Sequence, residues 1–186
     1  MNHNFLLPTW RHYSCWTLQQ LPLAFRMRLL DRGSTTHRMR ENLNNKLGLH
    51  VIRHDWRCPN YDELRALGIK RRQHLLVREV VLFCNERAWM VARTVIPRET
   101  LMGKGNQLRY LGNRPLGILL FADPQLQRSE FELALLRSQH QDYQQVISYC
   151  DESPATVWAR RSLFQFHKKP LLLTEIFLPH PVLFEE

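Results

Sequence analysis

No hydrophobic stretch in this sequence of 186 residues is long enough to cross a membrane. The apolar runs are short, as in Leu75–Val77 and Leu171–Leu173, whereas a spanning helix needs about 20 residues. Residues 1–8 lack the basic segment and the long apolar segment of a secretory signal. We therefore expect a cytoplasmic protein without a transmembrane segment.

Cysteine pairs of the kind that bind zinc or form a redox dithiol are also missing. The four cysteines form no CxxC motif, and the seven glycines form no phosphate-binding loop. A GxSxG nucleophile motif is absent as well. His50 and His54 are four residues apart but lack the glutamate of an HExxH zinc motif. We therefore expect free thiols and no metal site.

Basic residues exceed acidic ones, and the excess lies in the first part of the sequence. The 26 Lys and Arg residues against 17 Asp and Glu give a formal net charge of +9. Residues 1–73 contain 13 of the basic residues and 5 of the acidic ones. Such an excess attracts nucleic acids, anionic lipids or small polyanionic metabolites, although it also fits a solvated basic surface. Aromatic residues are not interleaved with these charges, so we expect no nucleic-acid partner.

The order of the predicted elements indicates an α+β fold. Residues 1–73 are predicted to be mainly helical, with an apolar cluster between Leu21 and Leu30 and a second helix from Arg38 to Leu47. Residues 74–186 are predicted to be mainly antiparallel strands, because short, turn-rich links join successive β-rich runs. The chain is expected to form one domain, residues 1–186, in which helices pack over an antiparallel sheet.

Short runs rich in β-forming residues are predicted as the strands of this sheet. They are residues 47–56, 75–83, 89–96, 116–121, 131–136, 157–166 and 171–178. Residues 137–154 are polar and rich in glutamine, and they fit either a surface helix or a lid.

Three charged residues interrupt apolar strand faces when the strands are read with a period of two. They are Arg78, Arg93 and Glu175. An unpaired buried ion costs several kcal/mol, so these residues either pair with one another or line a cavity for a charged ligand. Two arginines and one glutamate leave one positive charge, which the carboxylate of a ligand would balance. Glu79 lies on the opposite face of its strand and is a candidate salt-bridge partner for a nearby arginine.

Five stretches in the second half of the sequence form a series with a specific order and spacing. They are Leu76–Leu82, Trp89–Pro97, Leu111–Gly117, Trp158–Ser162 and Lys169–Pro179. Together they resemble the chorismate pyruvate-lyase family, and the stretches RTVIP and PLLLTEIFLP are the most specific of them. The resemblance covers residues 74–179 well and residues 20–60 weakly.

The resemblance implies a lyase that converts chorismate to 4-hydroxybenzoate and pyruvate, the first step of ubiquinone synthesis. It implies no cofactor, since aromatisation of the ring drives the reaction. By motif, Arg78 would bind the ring carboxylate together with the backbone N–H groups of Thr35 and Leu116. Glu175 would contact the ring hydroxyl, and Arg93 would meet the enolpyruvyl group, so these two are the predicted catalytic residues.

The sequence departs from the family pattern in three places. Thr35 stands where an apolar residue is usual, Ala92 replaces a glycine, and residues 137–154 look longer than the family's connection. None of these departures replaces a proposed catalytic group, so they concern closure over the substrate more than chemistry.

A non-catalytic effector-binding domain is the alternative function, because ligand-sensing domains of bacterial transcription regulators resemble the expected fold. Such domains are normally fused to a helix-turn-helix module, whereas the residues before Leu75 offer only two modest helices. We expect a monomer whose ligands are chorismate and 4-hydroxybenzoate.

Overall fold

The structure is a computed structural model that describes residues 5–22, 26, 29–31, 33, 35 and 47–179. The helix predicted from Arg38 to Leu47 lies outside the described residues except for Leu47, as does much of the apolar cluster predicted between residues 21 and 30. Within the described part of the chain, no helix is long and apolar enough to cross a membrane.

In the described residues, eight antiparallel strands form one sheet. Their bounds are β1 Arg11–His12, β2 Leu47–Arg57, β3 Leu75–Cys84, β4 Arg87–Ile96, β5 Gln127–Arg128, β6 Glu132–Leu136, β7 Val157–Phe166 and β8 Lys169–Phe177. The order across the sheet is β1-β6-β7-β8-β4-β3-β2, and β5 pairs with β7 beside β6. The predicted α+β class with an antiparallel sheet is therefore confirmed.

Tight hairpins join the central strands. Asn85 and Glu86 link β3 to β4, with φ angles of 47° and 67°. His167 and Lys168 link β7 to β8, with φ angles of 48° and 64°. Two central residues with positive φ form the turn whose twist matches that of the flanking strands. These links make β3 and β4, and likewise β7 and β8, adjacent antiparallel strands in the sheet.

One predicted strand is a helix instead. The run predicted over residues 116–121 forms helix α2, Leu116–Leu120, whereas helix α1 spans Tyr61–Ala66. Leu116 and Leu120 are buried one helical turn apart, while Ile118 between them is 59% exposed. A short apolar run does not distinguish a strand from a buried helix by its periodicity, which explains the wrong prediction.

The polar segment over residues 137–154 contains a helix, one of the two predicted alternatives. Helix α3 spans Gln141–Val146 and continues into a 3₁₀ turn, Ile147–Tyr149. Tyr143 and Val146 are buried against the sheet, and the Tyr143 hydroxyl donates to the carbonyl of Pro154 at 2.6 Å. The helix therefore packs on the sheet through its few apolar residues.

The sheet has two covered faces, which we name after their helices. The α2 face packs against α2 and the 3₁₀ segments Arg98–Leu101 and Gly103–Tyr110. The α3 face packs against α1 and α3. Because side chains alternate along a strand, the register decides which charged residues share a face. Arg78 and Glu175 lie on the α2 face, whereas Glu79 and Arg93 lie on the α3 face.

Candidate active site

Arg78 is a buried cation on the α2 face. Its side chain projects from β3, and the residue is 2% exposed. One guanidinium nitrogen donates to the carbonyl oxygens of Gly112 at 3.0 Å and Arg114 at 2.9 Å, while Nε has no hydrogen-bond partner among the residues that the structure describes. Among the described residues, no carboxylate forms an ion pair with Arg78, and burial lowers its pKa to about 10. The guanidinium is therefore charged at neutral pH without a protein counter-ion in this region.

The carbonyl groups that hold Arg78 come from the LGNRPLG stretch before α2. Gly112 has a φ of 51°, a left-handed conformation that glycine adopts at little cost. The turn brings two backbone oxygens to the same guanidinium nitrogen. These neutral acceptors orient Arg78 but leave its charge uncompensated.

Glu175 lies on β8 and is 4% exposed. Its Oε2 accepts hydrogen bonds from Arg160 at 2.6 Å and from Arg128 at 3.3 Å, and its Oε1 accepts one from the Thr35 hydroxyl at 3.0 Å. Burial alone would raise the pKa of Glu175, but the neighbouring guanidinium groups of Arg160 and Arg128 hold it below its ordinary value. Glu175 is therefore an ionised, oriented acceptor.

A cavity with an empty space of about 530 Å³, including its open mouth, lies between Arg78 and Glu175. Its apolar wall comprises Leu49, Val80, Leu82, Met90, Leu120, Phe164 and Leu173. Ala92 lies opposite Glu175 across β4 and β8, and Thr94 lies opposite Arg78. From typical strand spacings, the Cα atoms of Arg78 and Glu175 are roughly 12 Å apart. A ring with an acidic substituent at one end and a hydroxyl at the other suits this arrangement.

Four of the predicted site residues line this one cavity. They are Thr35, Arg78, Leu116 and Glu175, which the sequence places far apart. Leu116 lies in the first turn of α2, where backbone N–H groups have no acceptor within the helix. The structure thus brings together the predicted carboxylate anchor and the predicted hydroxyl-binding residue.

Arg93 is not part of this cavity, which corrects the prediction that it shares a site with Arg78 and Glu175. It follows Ala92 on β4 and therefore projects from the α3 face. Its guanidinium binds Glu63 on α1 at 2.6 Å and 3.0 Å and also binds Glu79 on β3. The pair with Arg93 confirms the prediction that Glu79 binds a nearby arginine, and Glu79 forms a second ion pair with Arg53 at 3.0 Å.

A second cavity, with an empty space of about 790 Å³, lies on the α3 face around Arg93. Its arginines are paired with carboxylates, as in the ion pair of Arg161 with Asp62. Burial among these acidic groups raises the pKa of Asp142, which also lines this cavity, to about 6. An anion entering here would therefore meet cations that are already neutralised, so charge favours the α2-face cavity as the anion site.

Two arginines that donate to Glu175, Arg160 and Arg128, are not among the predicted site residues. Arg160 is 0% exposed and lies on the α2 face, whereas its neighbour Arg161 is 4% exposed and lies on the α3 face. The period-two interpretation that identified Arg78 would have identified Arg160, which alternates with Trp158 and Ser162. Arg128 has no such signal, because β5 contains only two residues.

The fold and the site define a class, an α+β domain with a cavity on one face of its sheet that is lined by a buried arginine and a buried glutamate. Solved structures share this fold. The PhnF C-terminal domain matches with a TM-score of 0.55 and 16% identity, over 72% of this chain and 88% of that one. The C-terminal domain of the histidine utilization repressor from Pseudomonas syringae matches with a TM-score of 0.51 and 13% identity, over 70% and 90%. At these identities the likeness shows the fold alone.

Sequence relatives define the family. A profile described as chorismate lyase matches residues 8–186. A probable chorismate pyruvate-lyase of Methylococcus capsulatus is 39% identical over 151 residues, covering 81% of this chain and 92% of the relative. One of Coxiella burnetii is 36% identical over 151 residues, covering 81% and 80%. The chain belongs to the chorismate lyase family.

The uncompensated charge of Arg78 leads to the first prediction. Replacing it, Arg78→Ala, should weaken binding of 4-hydroxybenzoate by on the order of 2–5 kcal/mol, because a charge-assisted contact in a buried site is lost. Isothermal titration calorimetry measures this affinity.

Arg93→Ala is the matched control, since it removes the same charge from the other face of the sheet. It should leave the affinity unchanged and instead lower the free energy of unfolding by on the order of 3 kcal/mol, because Glu63 and Glu79 lose their shared partner. Equal losses of affinity in the two variants would contradict the assignment of the α2-face cavity.

Proposed function

We propose that the protein converts chorismate to 4-hydroxybenzoate and pyruvate. The observation that carries the proposal is the α2-face cavity, which has the uncompensated Arg78 at one end and the ionised Glu175 at the other. Membership of the chorismate lyase family and the names of the sequence relatives support the same reaction. We further place it at the first step of ubiquinone synthesis, as the family resemblance implies.

Arg78 binds the ring carboxylate of the substrate in this proposal. Its Nε, which has no partner in the described part of the chain, and its buried position suit a bidentate contact with a carboxylate. The backbone N–H of Leu116 at the start of α2 adds a neutral donor beside it. A contact from the Thr35 backbone N–H stays a prediction, since the Thr35 side chain bonds to Glu175.

Glu175 accepts a hydrogen bond from the ring hydroxyl at the other end of the cavity. In the reaction the bond between the ring and the enolpyruvyl oxygen breaks, and its electron pair leaves with that oxygen. The hydroxyl-bearing ring carbon loses a proton as the ring becomes aromatic, and one proton is gained by the methylene carbon of the released enolpyruvate, which becomes pyruvate. The ring hydroxyl becomes more acidic in this process, so an ionised acceptor binds the transition state better than the substrate. Positioning and electrostatics supply most of the acceleration.

Arg128 takes the position that was predicted for Arg93. It lines the cavity close to Glu175, with its guanidinium centre 4.8 Å from the Phe164 ring centroid. A cation at this end of the cavity stabilises negative charge on the departing enolpyruvyl group. Arg93 cannot do so, because the sheet lies between it and the cavity.

An effector-binding domain is the second candidate, since the transcription-regulator domains named above share the fold. A domain that only binds its ligand would hold 4-hydroxybenzoate or chorismate without turning it over. Catalysis is therefore the discriminating property between the two candidates.

Direct turnover tests the proposal. Purified protein incubated with chorismate and EDTA should form 4-hydroxybenzoate and pyruvate in equal amounts, because no step in the proposed chemistry needs a metal. Liquid chromatography measures both products. Binding of 4-hydroxybenzoate without turnover would support the effector-binding domain, and activity that EDTA abolishes and a divalent ion restores would contradict the proposed chemistry.

Glu175→Gln should separate binding from chemistry. The amide keeps an acceptor oxygen, so affinity for 4-hydroxybenzoate should change by no more than about tenfold, or about 1.4 kcal/mol. The single-turnover rate should fall by on the order of a hundredfold, since the negative charge matters most as the ring hydroxyl becomes acidic. Single turnovers are needed because slow product release can hide a chemical defect. A near-parental rate in a folded variant would remove Glu175 from the chemistry.

A further inference from the structure

The hydroxyl of Thr35 joins the two charged groups at one end of the cavity. It donates to Oε1 of Glu175 at 3.0 Å and accepts a hydrogen bond from Arg160. Among the described residues, Thr35 alone donates to Oε1, whereas both Arg160 and Arg128 donate to Oε2. Thr35 is 7% exposed, so these bonds form where water competes little.

The same arginines hold the backbone on either side of Asp31. Arg160 donates to the carbonyl oxygens of Leu29 at 3.3 Å and Asp31 at 2.9 Å. Arg128 donates to the carbonyl of Gly33 at 3.3 Å. Gly33 and Thr35 themselves line the cavity. The backbone at these positions and the carboxylate of Glu175 are thus held by one set of hydrogen bonds.

The surrounding strands make this arrangement rigid. Arg160 comes from β7 and pairs in register with Glu175 on β8. The guanidinium centre of Arg128 lies 4.4 Å from the ring centroid of Phe131, and its Nε donates to the Ser162 hydroxyl at 2.8 Å. The sheet therefore fixes the positions of both arginines. Thr35 supplies the direct hydrogen bond between this backbone segment and the carboxylate of Glu175.

We propose that Thr35 is a positioning residue that orients Glu175 toward the ring hydroxyl of the ligand and fastens its own backbone to the wall of the cavity. This inference rests on the function proposed above and adds a role for a residue that had been assigned only a backbone contact. An apolar side chain at this position could make neither of the two bonds. Loss of the hydroxyl therefore affects both the ionisation of Glu175 and the retention of product.

The charged groups around Glu175 determine the expected pH effect. Arg160 and Arg128 face it from β7 and β5, and Asp31 approaches Arg128. Arg78 lies across the cavity on β3, with His54 of β2 near it. The hydrogen bond from Thr35 adds to the arginines in lowering the pKa of Glu175. Without it this pKa rises, so Glu175 loses its charge at a higher pH.

A matched pair of substitutions tests the proposal. Thr35→Val keeps the shape but removes the hydroxyl, and Thr35→Ser keeps the hydroxyl but removes a methyl group. In Thr35→Val the single-turnover rate should begin to fall at a pH about one unit higher than in the parent protein, so the acid limb of the pH–rate profile shifts upward. In the same variant, 4-hydroxybenzoate should dissociate about tenfold faster. Thr35→Ser should stay within about twofold of the parent in both measurements. Stopped-flow single turnovers and competition kinetics provide the two readouts.

The outcomes distinguish this inference from the proposed function. A parent protein that neither binds 4-hydroxybenzoate nor turns over chorismate would contradict the function itself. An active parent whose Thr35→Val and Thr35→Ser variants share its acid limb would overturn the positioning role, even if product release changes. Should Thr35→Val fail to fold, Thr35→Ala provides the same comparison with Thr35→Ser without placing a branched apolar side chain against Arg160.

Discussion

The compensation of buried arginine charges is the constraint on which this structure depends. On the α3 face, Arg93 is neutralised by two carboxylates of the chain, and Arg161 by Asp62 and Glu132. On the α2 face, Arg78 has backbone carbonyl groups as its hydrogen-bond partners in the described structure. A buried cation of this kind is costly for the free protein and becomes favourable when an anion binds. The same sheet therefore carries a structural ion-pair network on one face and, on the other, the cavity that we propose as the ligand site.

Strand periodicity predicted part of this arrangement and could not predict the rest. It identified Arg78 and Glu175 as charges on apolar faces, and both line the cavity. It could not show that Arg93 lies on the opposite face of the sheet, because a period of two relates only the residues of one strand to one another. Which faces of different strands coincide depends on the register, and the observed pairing of Ala92 with Glu175 decides it.

Contacts that span long stretches of sequence were also beyond prediction. Thr35 and Glu175 are 140 positions apart, and no local pattern links a threonine hydroxyl to a particular carboxylate. Arg128 lies on a two-residue strand that has no periodicity to interpret. The family resemblance placed Thr35 and Leu116 at the site, but it implied backbone contacts only. The role of the Thr35 side chain follows from the geometry of this chain.

Recognition of the ligand's negative charge by Arg78 is the central claim, and a pair of ligands tests it most directly. 4-Hydroxybenzoate and 4-hydroxybenzamide have nearly the same shape, but only the first carries a charge that compensates Arg78. Calorimetry on the unmodified protein at neutral pH should give an affinity for the amide that is weaker by on the order of a hundredfold or more. Affinities for the two ligands that agree within about threefold would contradict the account.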